Sequence, residues 1–169
     1  MSTNTVKDRD LGYADLLAGL TDLADGKYVV VGIRSAAGGE DTGNGFNLAS
    51  LAATHEFGTD KAGPNRNMVI PERSFLRSTV DAQREAIADR IEVAVGRIVD
   101  GDSDVDQELG LLGVMVAGKV QQNIADRGIG GPPNAESTTR PRPSGKGSDT
   151  PLVDTGRLRA SISSEVRSE

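Results

Sequence analysis

Residues 74–128 read SFLRSTVDAQREAIADRIEVAVGRIVDGDSDVDQELGLLGVMVAGKVQQNIADRG. Leu76, Val80, Ile87, Ile91, Ala94 and Ile98 recur at spacings of 4, 7, 4, 3 and 4, which makes one apolar stripe on an α-helix. This predicts a long helix from about Ser74 to Val99. Asp100-Gly101-Asp102 breaks it. Ser103 then opens a second helix, with Asp106 in the capping-box position three residues on. Leu109, Leu112, Val116, Val120 and Ile124 form its stripe, and Gly128 ends it. Two stripes joined by so short a break predict an antiparallel helical hairpin. Gly110, Gly113 and Gly118 each weaken the second helix by about 1 kcal/mol relative to Ala. Close approach of another backbone is one structural use for such positions.

On the N-terminal side, Leu11, Leu16, Leu17, Leu20 and Leu23 predict a helix from about Asp10 to Ala24, with Gly26 as its left-handed stop. Lys27-Tyr28-Val29-Val30-Val31-Gly32-Ile33-Arg34 is rich in β-branched residues and reads as a strand. Its unbroken apolar run predicts cover on both faces. Residues 35–45 hold Gly38, Gly39, Gly43 and Gly45 and read as a flexible loop. Asn47 is placed to cap a short helix that runs to about Phe57 and ends at Gly58. Residues 58–71 read as loop, closed by Pro71.

On the C-terminal side, residues 128–151 hold five of the chain's 7 prolines: Pro132, Pro133, Pro141, Pro143 and Pro151. This stretch reads as an extended arm or a disordered loop. Asp154 is placed to cap a short helix from Thr155 to about Ala160. Ser161 to Val166 alternates, with Ile162 and Val166 on one face, and reads as a terminal strand. The fold class expected is therefore α+β. A small antiparallel sheet of residues 27–34 and 161–167 packs on the long helical hairpin, with a Pro/Gly-rich arm before the C-terminal strand. Residues 1–169 read as a single domain.

Composition narrows the function classes. The 169 residues carry 19 Lys and Arg against 25 Asp and Glu, a net charge of -6, which disfavours a dedicated nucleic-acid binder. The acid excess sits in residues 1–60, with 4 bases against 9 acids, whereas residues 134–169 hold 6 bases against 5 acids. Hydrophobic residues make up 36% and aromatics 3%, so the core is aliphatic and modest. With Cys 0, disulfides, zinc ribbons and thiol nucleophiles are excluded, and His 1 excludes a multi-histidine metal site. No run of 18 apolar residues is present, so no membrane span is expected. The first ten residues lack the apolar core of a signal peptide, which makes the cytoplasm the expected compartment.

Four constellations resemble chemistry and fail its requirements. Asp154-Thr155-Gly156, after Leu152-Val153, is the aspartic-protease triplet, but only 15 residues follow Asp154 where a β-rich lobe is needed. A helix N-cap is the simpler reading. His55 beside Glu56 has no nucleophile at a recognisable spacing and reads as a helix-end histidine that favours the dipole. Gly145-Lys146-Gly147-Ser148 lacks the spacing and preceding strand of a phosphate loop, and Arg140, Arg142 and Lys146 form only a weak basic stretch. Asp100, Asp102, Asp104 and Asp106 fail the calcium-loop pattern, because Val105 and Leu111 stand where Gly and Glu are required. These acids read as a solvated turn that complements a helix N-terminus. No catalytic, cofactor or metal residue is assigned.

Three segments in order carry a resemblance. They are His55-Glu56-Phe57-Gly58-Thr59, Ile70-Pro71-Glu72-Arg73-Ser74-Phe75-Leu76-Arg77, and the run from Lys146 to Ile162 that includes Pro151-Leu152-Val153-Asp154-Thr155-Gly156-Arg157-Leu158. Together they resemble the virion morphogenesis proteins of tailed bacteriophages, also called tail completion or head–tail joining proteins. The resemblance implies a structural virion protein, not an enzyme, without cofactor. It implies self-association as a ring, most plausibly a hexamer, in the neck around the DNA channel. The partners implied are the head connector or adaptor and the tail terminator or tail tube proteins, with DNA only as passing cargo and no membrane. The location implied is the virion, with the host cytoplasm during assembly. The alternatives are an assembly factor absent from the finished particle and, remotely, a protease using Asp154. The residues expected to fix the architecture are Glu56, Phe57, Gly58, Pro71, Phe75, Leu76, Leu152, Asp154, Thr155, Gly156 and Leu158. Phe57 and Phe75 are each expected to fasten a loop onto the helices. Leu152 and Leu158 are expected to bracket the Asp154 cap like a staple.

Overall fold

The computed structural model describes residues 12–24, 26–34, 39, 47–63, 65–126, 130, 132–134, 139, 152 and 156–168. Its elements, in chain order, are α1 (Tyr13–Ala24), β1 (Tyr28–Ile33), α2 (Leu48–Phe57), β2 (Thr59–Ala62), β3 (Met68–Ile70), α3 (Arg77–Ala82), α4 (Arg84–Val99), α5 (Val105–Ala125), α6 (Arg157–Ala160) and β4 (Ile162–Arg167). The fold is α+β.

The β-branched run and the chain's last strand find each other. β1 and β4 pair antiparallel, in register from Tyr28 opposite Arg167 to Ile33 opposite Ile162. This sheet lies against α5. Gly113 makes the approach possible, because a Cβ there would sit 2.6 Å from Val29 Cγ2 and 2.7 Å from Ser164 Cβ. Gly110 and Gly118 face open space, so only one of the three helix glycines serves close approach. Gln121 Nε2 adds a hydrogen bond to the Ile162 carbonyl at 2.9 Å. Tyr28 is exposed and the rest of β1 half-buried, so the cover expected on both faces is only partial.

The core gathers side chains from four elements and one loop. Leu48 and Ala52 of α2, Phe75, Ala117, Val120 and Ile124 of α5, Leu158 of α6 and Ile162 of β4 are all buried together. Val31, Ile33, Leu51, Leu76 and Leu152 pack around them. Phe75 has no exposed surface and packs in this cluster.

Several boundaries differ from the expectation. The helix predicted over 74–99 is two helices, interrupted at Gln83 (φ −102°, ψ 11°). Both halves pack on α5, at different points along it, and α4 also meets α1. Thr79, buried in α3, receives a hydrogen bond from Asn123 of α5 at 2.8 Å, whereas α4 turns Ala94 and Ile98 inward. One straight stripe cannot serve both, and Val80 and Ile91 are left 43% and 45% exposed. The loop predicted over 58–71 contains an antiparallel pair, β2 with β3, in which Thr59 faces Ile70 and Ala62 faces Met68. The N-cap of α5 is Asp104, which accepts from the Gln107 N–H at 2.7 Å, rather than Ser103 with Asp106. Glu108, not Leu109, takes the buried face of that helix.

α6 begins at Arg157, directly after Gly156, which is left-handed at φ 75°. The helix start expected at Thr155 is therefore two residues early, and Asp154 and Thr155 themselves lie outside the described residues. So does most of the stretch 128–151, and with it the basic residues Arg140, Arg142 and Lys146, and the Gly-rich loop except Gly39. Among the described residues, no helix is long and apolar enough to cross a membrane.

Candidate functional site

The start of α3 presents a problem of unpaired backbone. The first N–H groups of any helix lack intrahelical acceptors, and Leu76, which precedes α3, offers no side-chain acceptor. The missing acceptor comes from α2. That helix opens on Asn47, whose side chain accepts from the Ser50 N–H at 2.8 Å, and closes on Gly58. Gly58 has φ 69°, and a Cβ there would lie 2.8 Å from the Glu72 nitrogen and 3.0 Å from the Ile70 carbonyl oxygen. Only glycine fits both the backbone angle and the space. The turn sends the chain out along β2 and back along β3 through Pro71, which is half-buried. On its return the Arg73 N–H donates to the His55 carbonyl at 2.8 Å.

Glu56, the last residue but one of α2, is thereby aimed at the opening of α3. One carboxylate oxygen, Oε2, accepts from the Phe75 N–H at 2.8 Å and the Leu76 N–H at 3.0 Å. The other, Oε1, accepts from the Ser74 hydroxyl at 2.7 Å, the Arg77 N–H at 3.0 Å and Arg77 Nε at 3.1 Å. Arg77 Nη2 also donates to the Glu56 carbonyl at 3.0 Å and to Glu72 Oε1 at 2.7 Å. A carboxylate is favoured at the positive end of a helix, and charge-assisted bonds of this kind are the stronger ones. Burial pushes the Glu56 carboxyl up. The N–H groups of Leu76 and Arg77, the Ser74 hydroxyl and the Phe75 N–H outweigh it, and the group stays below the usual carboxylate range.

Two of the three segments that carry the resemblance thus form one junction. The third joins it through the core, where Leu152, Leu158 and Ile162 pack in the cluster that holds Phe75 and Leu76. Glu56, Gly58, Pro71, Phe75, Leu76, Leu152 and Leu158 are brought together. Gly156 sets the start of α6. Phe57 departs from expectation. It is 64% exposed, and its ring lies under the Arg77 guanidinium at 4.7 Å instead of entering the core.

His55 also differs. It is half-buried, its Nδ1 has no hydrogen-bond partner among the described residues, and burial first and the Arg73 charge second push it toward the neutral form. A charged histidine serving the helix dipole is therefore not what is present.

Sequence reasoning missed the second buried acid, Glu108. Arg90 donates to its Oε2, and Arg97 Nη1 stands 3.3 Å from its Oε1. The Ser103 hydroxyl and Arg90, aided by the charge of Arg97, lower its pKa against the push of burial. The signal was present in the spacing. Val105, Glu108 and Leu112 share one helical face, and two arginines seven residues apart precede them in α4.

Chemically, donors fill both oxygens of Glu56 and meet Oε2 of Glu108, whose Oε1 has charge from Arg97 nearby but no hydrogen bond among the described residues, and both carboxyls are held below their ordinary value. A general acid or base instead requires a pKa near the working pH and a free path to substrate. Among the described residues, no group of three or more His, Cys, Asp or Glu side chains is placed to hold a metal ion. Comparison with protein-family models, with curated proteins and with solved structures finds no significant match.

Proposed function

We propose that the chain is a structural protein of a tailed-bacteriophage virion, which completes the tail or joins it to the DNA-filled head. The observation that carries this reading is the use to which the three resembling segments are put. They meet in one fastened junction, where Glu56 caps the opening of α3 and Phe75, Leu152, Leu158 and Ile162 share the core. The polar groups of Glu56, Ser74 and Arg77 are spent on holding architecture, as suits a subunit that works by assembly.

In this reading the subunits close into a ring through a head-to-tail interface, with six copies as the expected number. The ring sits in the neck, between the head connector and the tail terminator or tail tube. DNA passes through it as cargo. A net charge of -6 per chain becomes on the order of -36 in a hexamer, which repels phosphate and keeps passage smooth. The isolated chain is expected to show no retention of double-stranded DNA at physiological salt.

Mass spectrometry of purified particles tests the proposal. The chain should be present at a fixed low copy number, and particles made without it should be heads and tails that fail to join. Its absence from finished particles would favour an assembly factor. Joined, infectious particles made without the chain would contradict both readings.

A further inference from the structure

Three charged side chains among the described residues are buried: Glu56, Arg73 and Glu108, with 4%, 6% and 1% of their surface exposed. Glu56 has Arg77 and the opening of α3, and Glu108 has Arg90 and Arg97. Arg73 has no such partner among the described residues. Its Nη2 reaches the Pro133 carbonyl at 3.4 Å, longer than a good N–H···O bond, and its Nη1 has no hydrogen-bond partner. The acids nearest in the chain are engaged elsewhere. Glu56 is filled by its own donors, and Glu72 is held by Arg77. A desolvated guanidinium without a counter-charge is costly, and an orphaned buried polar atom calls for a water or an ion to meet it.

A second orphan stands beside it. His55 Nδ1 is buried and unpartnered among the described residues. The backbone hydrogen bond from Arg73 to His55 ties the two residues together. Both groups ask for the same thing. The guanidinium offers a planar donor fork that matches a carboxylate or phosphate, and the imidazole becomes a second donor once protonated.

We propose that Arg73, with His55 beside it, is the receptor for one oxyanion, a carboxylate or phosphate group brought by another molecule. The Pro133 carbonyl, which holds Nη2 at long range, gives way to it. The anion neutralises Arg73, and His55 then takes up a proton from solvent and donates through Nδ1. Binding is therefore tighter as the pH falls. The source is either a free anion or an acidic side chain of a neighbouring copy. The inference does not depend on the proposed virion role.

The chain's one histidine makes the test clean, because its ring signals in a proton NMR titration belong to His55 alone. The full chain is titrated in chloride, then with inorganic phosphate and with acetate at matched ionic strength, at low and high protein concentration. In chloride His55 should titrate below its ordinary value. A free anion should raise that value saturably and raise the melting temperature beyond what chloride does. A neighbour's carboxylate should raise it with protein concentration alone, together with association in sedimentation. In Arg73→Gln, with circular dichroism confirming the fold, His55 should already titrate higher and neither addition should move it. If that variant does not fold, the wild-type melting temperature still decides between phosphate or association and chloride. A wild-type His55 value and melting temperature unmoved by phosphate, acetate and concentration would mean that water alone serves Arg73, and would overturn the proposal.

Discussion

Glu56 closes α2 and Glu108 opens α5, and both are almost wholly buried, but they are neutralised differently. Glu56 is met mainly by backbone: three consecutive N–H groups, from Phe75 to Arg77, point at its two oxygens. Those donors are fixed by the chain and cannot turn away. Glu108 is met by the long side chains of Arg90 and Arg97, which are 20% and 44% exposed and can return to water. The lesson is that equal burial does not mean equal consequence. Removing the first acid strands fixed donors, whereas removing the second frees mobile ones.

The largest effect should therefore come from Glu56→Ala, which leaves one buried and two part-buried N–H groups and the Arg77 side chain without their acceptor. A loss of about 3–5 kcal/mol in denaturant unfolding is expected. Glu56→Gln keeps one acceptor oxygen and should lose less. Glu108→Ala should lose about 1–3 kcal/mol. Replacing Glu108 and Arg90 together by Leu and Met should recover most of that loss, because a buried ion pair is often no better than apolar packing. A Glu108→Ala loss equal to that of Glu56→Ala would break the comparison.

The three glycines of α5 sharpen it on a purely steric axis. Gly113→Ala should destabilise by about 1–3 kcal/mol, since the new methyl meets Val29 and Ser164. Gly110→Ala and Gly118→Ala, which meet nothing, should each stabilise by about 0.5–1 kcal/mol through helix propensity. Thermal melts of the three variants would show the opposite signs.

Acid should separate the same groups. Glu56 and Glu108 both lie below their ordinary value of 4.5 when folded. Their stabilisation is complete above that value and is lost as the pH falls through the lower folded values. Urea unfolding below pH 4.5 should be less pH-dependent in Glu56→Gln than in the wild type. His55 adds a smaller effect at higher pH. Its folded value lies below 6.5, so stability should decline as the pH drops below 6.5 and level off beneath the folded value. His55→Gln should remove that step.

How much of this was legible depended on how local the cause was. β1 and β4 follow from β-branched and alternating residues, and α2 from Asn47 and Gly58 at its ends. β2 was not legible, because Thr59-Asp60-Lys61-Ala62 has a single apolar residue and owes its extended form to pairing with β3. The interruption at Gln83 has no Gly or Pro to announce it, and α3 and α4 meet α5 at different points, through Thr79 with Asn123 and through Arg90 with Glu108. The resemblance singled out Glu56, but no periodicity says that a carboxylate will cap a helix some twenty residues on. Phe57 and Phe75 look alike in sequence, yet one lies under Arg77 at the surface and the other fills the core.

Amide hydrogen exchange at Phe75, Leu76 and Arg77 tests the Glu56 junction most directly. In the wild type these three amides should exchange slowly, as groups bonded to a buried carboxylate. In Glu56→Ala they should exchange far faster, while the amides that pair β1 with β4 keep more of their protection. Three amides that exchange freely in the wild type, or whose protection survives the loss of Glu56, would contradict the account.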